Sequence, residues 1–87
     1  MSKLVELMED FCNVDKDIRF MKDYSGRCMF GRKCVGIVCH DYLNTLLKLC
    51  EYLAIFDVID FEDELGKVCL DNMGLDYIMY FPSVESD

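Results

Sequence analysis

Six cysteines, at 12, 28, 34, 39, 50 and 69, and a single histidine, His40, are the residues of this 87-residue chain best suited to nucleophilic or metal chemistry. Zinc sites are usually built on closely spaced ligand pairs such as C-x2-C. Consecutive cysteines here lie 16, 6, 5, 11 and 19 positions apart, so there is no such pair, and a zinc site would have to be assembled from Cys28, Cys34 and His40. The run Cys39-His40-Asp41 places a thiol, an imidazole and a carboxylate side by side. Neighbours on an extended strand point to opposite sides, whereas a nucleophile and its base must meet within hydrogen-bond reach. The expectation is a protein that is not an enzyme and holds neither metal nor cofactor.

Three disulfides would be the alternative use of six cysteines. Glu6, Glu9 and Asp10 interrupt the N-terminal stretch where an export signal needs an apolar core. No apolar run is long enough to span a bilayer. The chain therefore reads as cytoplasmic, with thiols that behave as small hydrophobes.

The stretch Tyr24 to Gly36, YSGRCMFGRKCVG, is the second candidate. It gathers Arg27, Arg32 and Lys33, three of the nine basic residues, with three glycines and no acid. Backbone amides freed by glycine, together with arginine, can cradle an anion. The spacing matches neither a P-loop nor a GxGxxG fingerprint. A small-ligand or phosphate-binding module using the Gly-Arg loop 25–36 is thus the alternative reading. The other use of the loop is protein contact, with Phe30 as an apolar anchor beside Arg27 and Arg32.

Charge gives the strongest signal. Residues 1–33 carry seven bases and six acids, whereas residues 34–87 carry two bases and eleven acids, for a formal net charge of −8. Within 51–64, EYLAIFDVIDFEDE, six carboxylates occur without a base. Acids in a first helical turn complement the helix dipole, which would account for part of the run. On one helix face, acids three or four apart are neighbours. They form a ridge of closely spaced negative charge resembling a nucleic-acid backbone. Asp57, Asp60, Glu62, Asp63 and Glu64 are the expected contacts to a basic nucleic-acid-binding surface of a partner protein. Direct binding of nucleic acid is disfavoured by the net charge.

These groups need a scaffold. Ser2 is placed to cap a helix with the apolar stripe Leu4, Val5, Met8, Phe11 and Cys12, ending near Asn13. Residues 17–24, DIRFMKDY, and 34–39, CVGIVC, read as strands. Asp41 caps a second helix whose expected buried face is Leu43, Leu46, Leu47, Cys50, Leu53 and Ala54. A third helix is predicted from Asp60, with the stripe Phe61, Leu65, Val68, Cys69 and Met73 and with Gly74 beyond its end. Residues 75–81, LDYIMYF, return as a strand carrying Tyr77 and Tyr80 on opposite faces. Pro82 is expected to stop it, leaving a frayed tail. The order α-β-β-α-α-β implies a single α+β domain, 1–87, with a small antiparallel sheet of about three strands and helices on one face. A thin core also leaves room for homodimerisation through an apolar helix face.

The segment YSGRCMFGRKCVGIV resembles small acidic proteins of bacteriophages and mobile elements, and the size and acidity are similar to those of anti-CRISPR inhibitors. That resemblance implies a phage-encoded inhibitor acting in the host cytoplasm. It implies no individual residue role.

Overall fold

The computed structural model describes residues 3–26, 32–56 and 68–85. In chain order these form α1 (Lys3–Asn13), β1 (Arg19–Tyr24), β2 (Cys34–Cys39), α2 (Tyr42–Ile55), β3 (Cys69–Met73) and β4 (Asp76–Glu85). The four strands make one antiparallel sheet in the order β1-β2-β4-β3. The architecture is α+β, with four strands where about three were expected.

Strand β2 is apolar at every position but one and is buried throughout, as a central strand must be. Its Val35, Ile37 and Cys39 face the helices together with Met79 and Phe81 of β4. Val5, Leu7, Met8, Phe11 and Cys12 of α1 and Leu49 and Leu53 of α2 close over them. The α1 stripe thus buries four of its five expected members and adds Leu7, while Leu4 stays partly exposed. Ser2, its expected cap, lies outside the described residues.

The opposite face of the sheet carries a smaller cluster. Cys34 and Tyr80 are buried there, with Tyr24 and Cys69 packed against them. The Tyr24 and Tyr80 rings lie 5.1 Å apart, and the Tyr24 hydroxyl donates to Asp71 Oδ2 at 2.9 Å. Tyr24 thereby ties β1 to β3, the two edges of the sheet. Gly26 passes so close to the Tyr80 ring that a Cβ would stand 2.5 Å from its Cζ. This first glycine of the Gly-Arg loop therefore answers a packing demand.

Three expectations need correction. The residues Val68, Cys69 and Met73 belong to no helix: Cys69–Met73 is β3, joined to β4 through Gly74 and Leu75, with Met73 opposite Asp76. Gly74 has φ +67°. A positive φ after an apolar stretch suits a helix end and a hairpin turn equally, which is why the pattern misleads; Asp60, Phe61 and Leu65 lie outside the described residues. Pro82 does not stop the last strand, which runs to Glu85. The β2–β4 register slips between Cys34, opposite Glu85, and Val35, opposite Phe81. Pro82 sits inside that irregularity, the kind of place where a sheet tolerates proline, and Val84 beyond it is buried.

The third correction concerns α2. Its buried residues are Thr45, Leu49 and Leu53, whereas Leu43, Leu47 and Ala54 are exposed. Leu46 and Cys50 are half-buried. The helix carries more apolar residues than one face can bury. Its rotation is set by Tyr42, which meets Tyr77 edge-on at 5.2 Å, and by Tyr52, which packs 5.5 Å from Phe11. Tyr77 and Tyr80 do fall on opposite faces: Tyr77 is half-exposed on the helix side and Tyr80 is buried on the other.

Asp41 caps α2 as expected, its side chain accepting from Asn44 N at 3.2 Å. Asp41→Ala is expected to lower stability by about 1 kcal/mol, read as a shift in the urea midpoint at constant slope.

Candidate functional site

Of the expected partner-binding residues, Asp57, Asp60, Glu62, Asp63, Glu64, Arg27 and Phe30 lie outside the described residues. Arg32 is described and is exposed immediately before β2. Another concentration of acid is in view.

A cleft of about 520 Å³ opens at one end of the sheet, lined by Phe11, Asp15, Asp17, Ile18, His40, Asp41, Asn44, Thr45, Lys48 and Asp76. Three separate stretches meet there. The turn after α1 brings Asp15 and Asp17. Asp15 shapes that turn itself, its Oδ1 accepting from Asp17 N at 2.9 Å, an Asx-type turn. The β2–α2 junction brings His40 and Asp41, followed by Asn44, Thr45 and Lys48 one turn on. Asp76 enters at the start of β4.

Among the described residues, four carboxylates therefore face one concavity with a single lysine. A cavity of this volume is roughly 10 Å across, comparable with the Debye length of about 8 Å at physiological salt, so its charges act on an entering group together. Their geometry is partly fixed. Asp41 is held by Asn44 N, and Thr45 Oγ1 donates to Asp41 O at 2.8 Å. Asp76 Oδ1 stands 3.6 Å from His40 Nδ1, both side chains well exposed. Phe11 and Ile18 supply an apolar floor.

The thiols take no such part. Cys39 is buried beneath the cleft, and burial pushes its pKa up; a hydrogen bond with Thr45 works the other way, and Asp76 and Asp41 add to the rise. It is held as a neutral thiol, while His40 projects outward towards Asp76. Cys39, His40 and Asp41 are thus turned to three different tasks. Cys34 is fully buried on one face of β2, and His40 lies six residues further along. An extended strand separates such positions by roughly 20 Å. Cys28 lies outside the described residues. Among the described residues no group of three or more His, Cys, Asp or Glu side chains is placed to hold a metal ion.

Asp41 stands out in the sequence only as a helix cap and as the neighbour of Cys39 and His40, and Asp15, Asp17 and Asp76 carry no signal of a site. Each sits at the edge of an element, in DKDI, CHDY or GLDY, where an aspartate ordinarily serves a turn or a cap. Only the strand order brings residues 15, 41 and 76 together. Comparison with protein-family models, curated proteins and solved structures gives no match. No helix among the described residues is long and apolar enough to cross a membrane.

Proposed function

We propose that this is a non-catalytic acidic binding protein that occupies a basic, nucleic-acid-binding surface of a partner protein, in the manner of a phage-encoded inhibitor. The observation that carries the reading is the convergence of Asp15, Asp17, Asp41 and Asp76 on one cleft, where Lys48 is the only lysine or arginine among the described residues. Such a concavity receives an arginine or lysine side chain. The planar guanidinium matches carboxylate oxygens in a fork, and the methylene stem lies against Phe11 and Ile18. Asp57, Asp60, Glu62, Asp63 and Glu64 supply further negative contacts, with Arg27, Phe30 and Arg32 as a secondary anchor. Steering by the net charge of −8 speeds encounter with a cationic surface.

A labelled oligo-arginine peptide is a direct probe. Asp17→Lys with Asp76→Lys is expected to weaken its binding by roughly thirty-fold at low salt, about 1 kcal/mol for each reversed charge. Glu62→Lys with Glu64→Lys tests the 51–64 segment in the same assay. The control is Glu6→Lys with Glu9→Lys on the exposed side of α1, which changes net charge equally and leaves affinity within a few-fold. Equal loss in all three variants would reduce the effect to net charge alone and reject a defined acidic face.

A further inference from the structure

The outer surface of α2 divides lengthwise. Asn44 and Lys48 border the cleft, on the side of α1. On the side away from α1 run Leu43, Leu47 and Ala54, all exposed, with Cys50 between them half-buried against the core; the four are spaced i, i+4, i+7, i+11, which is one stripe of a helix. Leu43 is 63% exposed and Leu47 65%. Beyond this side of α2 the sheet ends in edge strand β3, whose Leu70 pairs with Met79, faces the helix layer and is 40% exposed. The stripe contains no charged residue, in a chain of net charge −8.

We propose that α2 pairs antiparallel with α2 of a second copy along this stripe. The order of side-chain sizes points to a copy of the same helix. Read along the chain, the stripe is large, large, small, small. Turned end for end about a two-fold axis between residues 48 and 49, it sets Leu43 against Ala54 and Leu47 against Cys50, and the reverse on the other side of the axis. Every contact is then one large side chain against one small one, so the helices can approach closely with constant spacing, the isologous arrangement of a two-fold dimer. Equal stripes in parallel register would set leucine on leucine at one end and leave a gap at the other. Glu51 borders the stripe, and its mate lies about 7.5 Å away along the axis at 1.5 Å per residue.

The extent of the contact sets its strength. A helix of 14 residues is about 21 Å long. One such pair, with Leu70 at its border, falls below the 1,200 Å² or so that marks stable complexes. The dimer is therefore reversible and depends on concentration. Because its contact is apolar and its partners repel at long range, added salt strengthens it, opposite in sign to the charge-driven binding proposed above.

Sedimentation equilibrium of the full chain tests this. The expected mass rises from 10.2 kDa towards twice that value with concentration, and the association constant increases several-fold between low and high salt. Leu47→Glu lowers association at least tenfold while leaving oligo-arginine binding, and the melting temperature measured at concentrations where the chain is monomeric, unchanged. Ala54→Leu weakens the dimer by setting leucine against Leu43, and Leu43→Ala combined with Ala54→Leu restores it by exchanging large for small. A chain that stays monomeric at millimolar concentration overturns the proposal. So does a dimer indifferent to Leu47→Glu, or one that the double exchange fails to restore. Failure of the unaltered chain to bind the oligo-arginine peptide, with the dimer behaving as described, would count against the acidic cleft only.

Discussion

Phe81→Ala is expected to lower stability by about 3–5 kcal/mol, enough to bring a domain of this size close to unfolding at ambient temperature. Phe81 is among the largest fully buried side chains, 1% exposed, and stands on central strand β4 opposite Val35. Its ring fills the layer between the sheet and both helices, a region that must pack at near-crystalline density. Truncation removes the transfer energy of the ring and leaves a cavity that two helices anchored elsewhere cannot close. The melting temperature should fall by about 12–40 °C, at 4–8 °C per kcal/mol for a domain of this length. Phe81→Leu should cost under about 1.5 kcal/mol. A loss of less than 1 kcal/mol in the alanine variant would show that the helix layer is not held against β4 as described.

Alkaline pH should destabilise the fold almost as strongly. Burial pushes the Cys12 thiol from 9.0 up to about 12, reinforced by Cys39, Asp15 and Glu9. Cys34 and Cys39 move in the same direction, each chiefly through burial. The folded state thus holds neutral thiols that the unfolded chain gives up. The stability this supplies is complete below pH 9.0 and is lost as pH rises from there through about 12. The loss for Cys12 alone runs at about 1.4 kcal/mol per pH unit, or about 4 kcal/mol over the interval. Denaturation curves at pH 8, 9, 10 and 11 measure it, with Cys12→Val as the reference that retains volume but cannot ionise. If the variant and the parent lose stability in parallel, Cys12 contributes nothing to the pH dependence.

The parts of this fold legible in the sequence are those whose signals are local. Strand β2 was bounded at Cys34 and Cys39 by polar residues on both sides of a short apolar run, and Asp41 announced the start of α2. The amphipathic stripe of α1 identified most of its buried face. What escaped detection depends on tertiary choice. The face that α2 buries is ambiguous in the sequence because its five leucines spread over nearly half of the helix circumference, wider than the stripe that packs, and contacts of Tyr42 and Tyr52 with distant rings decide its rotation. The stretch Cys69–Met73 is short, and its apolar residues fit two periodicities; pairing with β4 selected the strand. Pro82 read as a stop because nothing local reveals a register slip opposite Cys34.

The cleft illustrates the same limit. Its aspartates lie up to sixty-one positions apart, at 15 and 76, and each has an ordinary local reason to be where it is. Their convergence follows from β2 and β4 being neighbours, which no periodicity encodes. The acidic run 51–64 was visible because it is contiguous, whereas an acid cluster assembled by topology has no linear trace.

The placement of β4 has a consequence for biosynthesis. Although it comes after every other described element, it lies inside the sheet, between β2 and β3. A growing chain that has reached residue 75 has both helices and three strands in hand but lacks Ile78, Met79, Tyr80 and Phe81, which join the two halves. Its apolar surfaces stay open until β4 emerges, the interval in which nascent chains are prone to cluster or recruit chaperones. Pairing across that sequence distance also makes closure slower than a local hairpin. Premature termination even ten residues short of Glu85 would leave a fragment without a core.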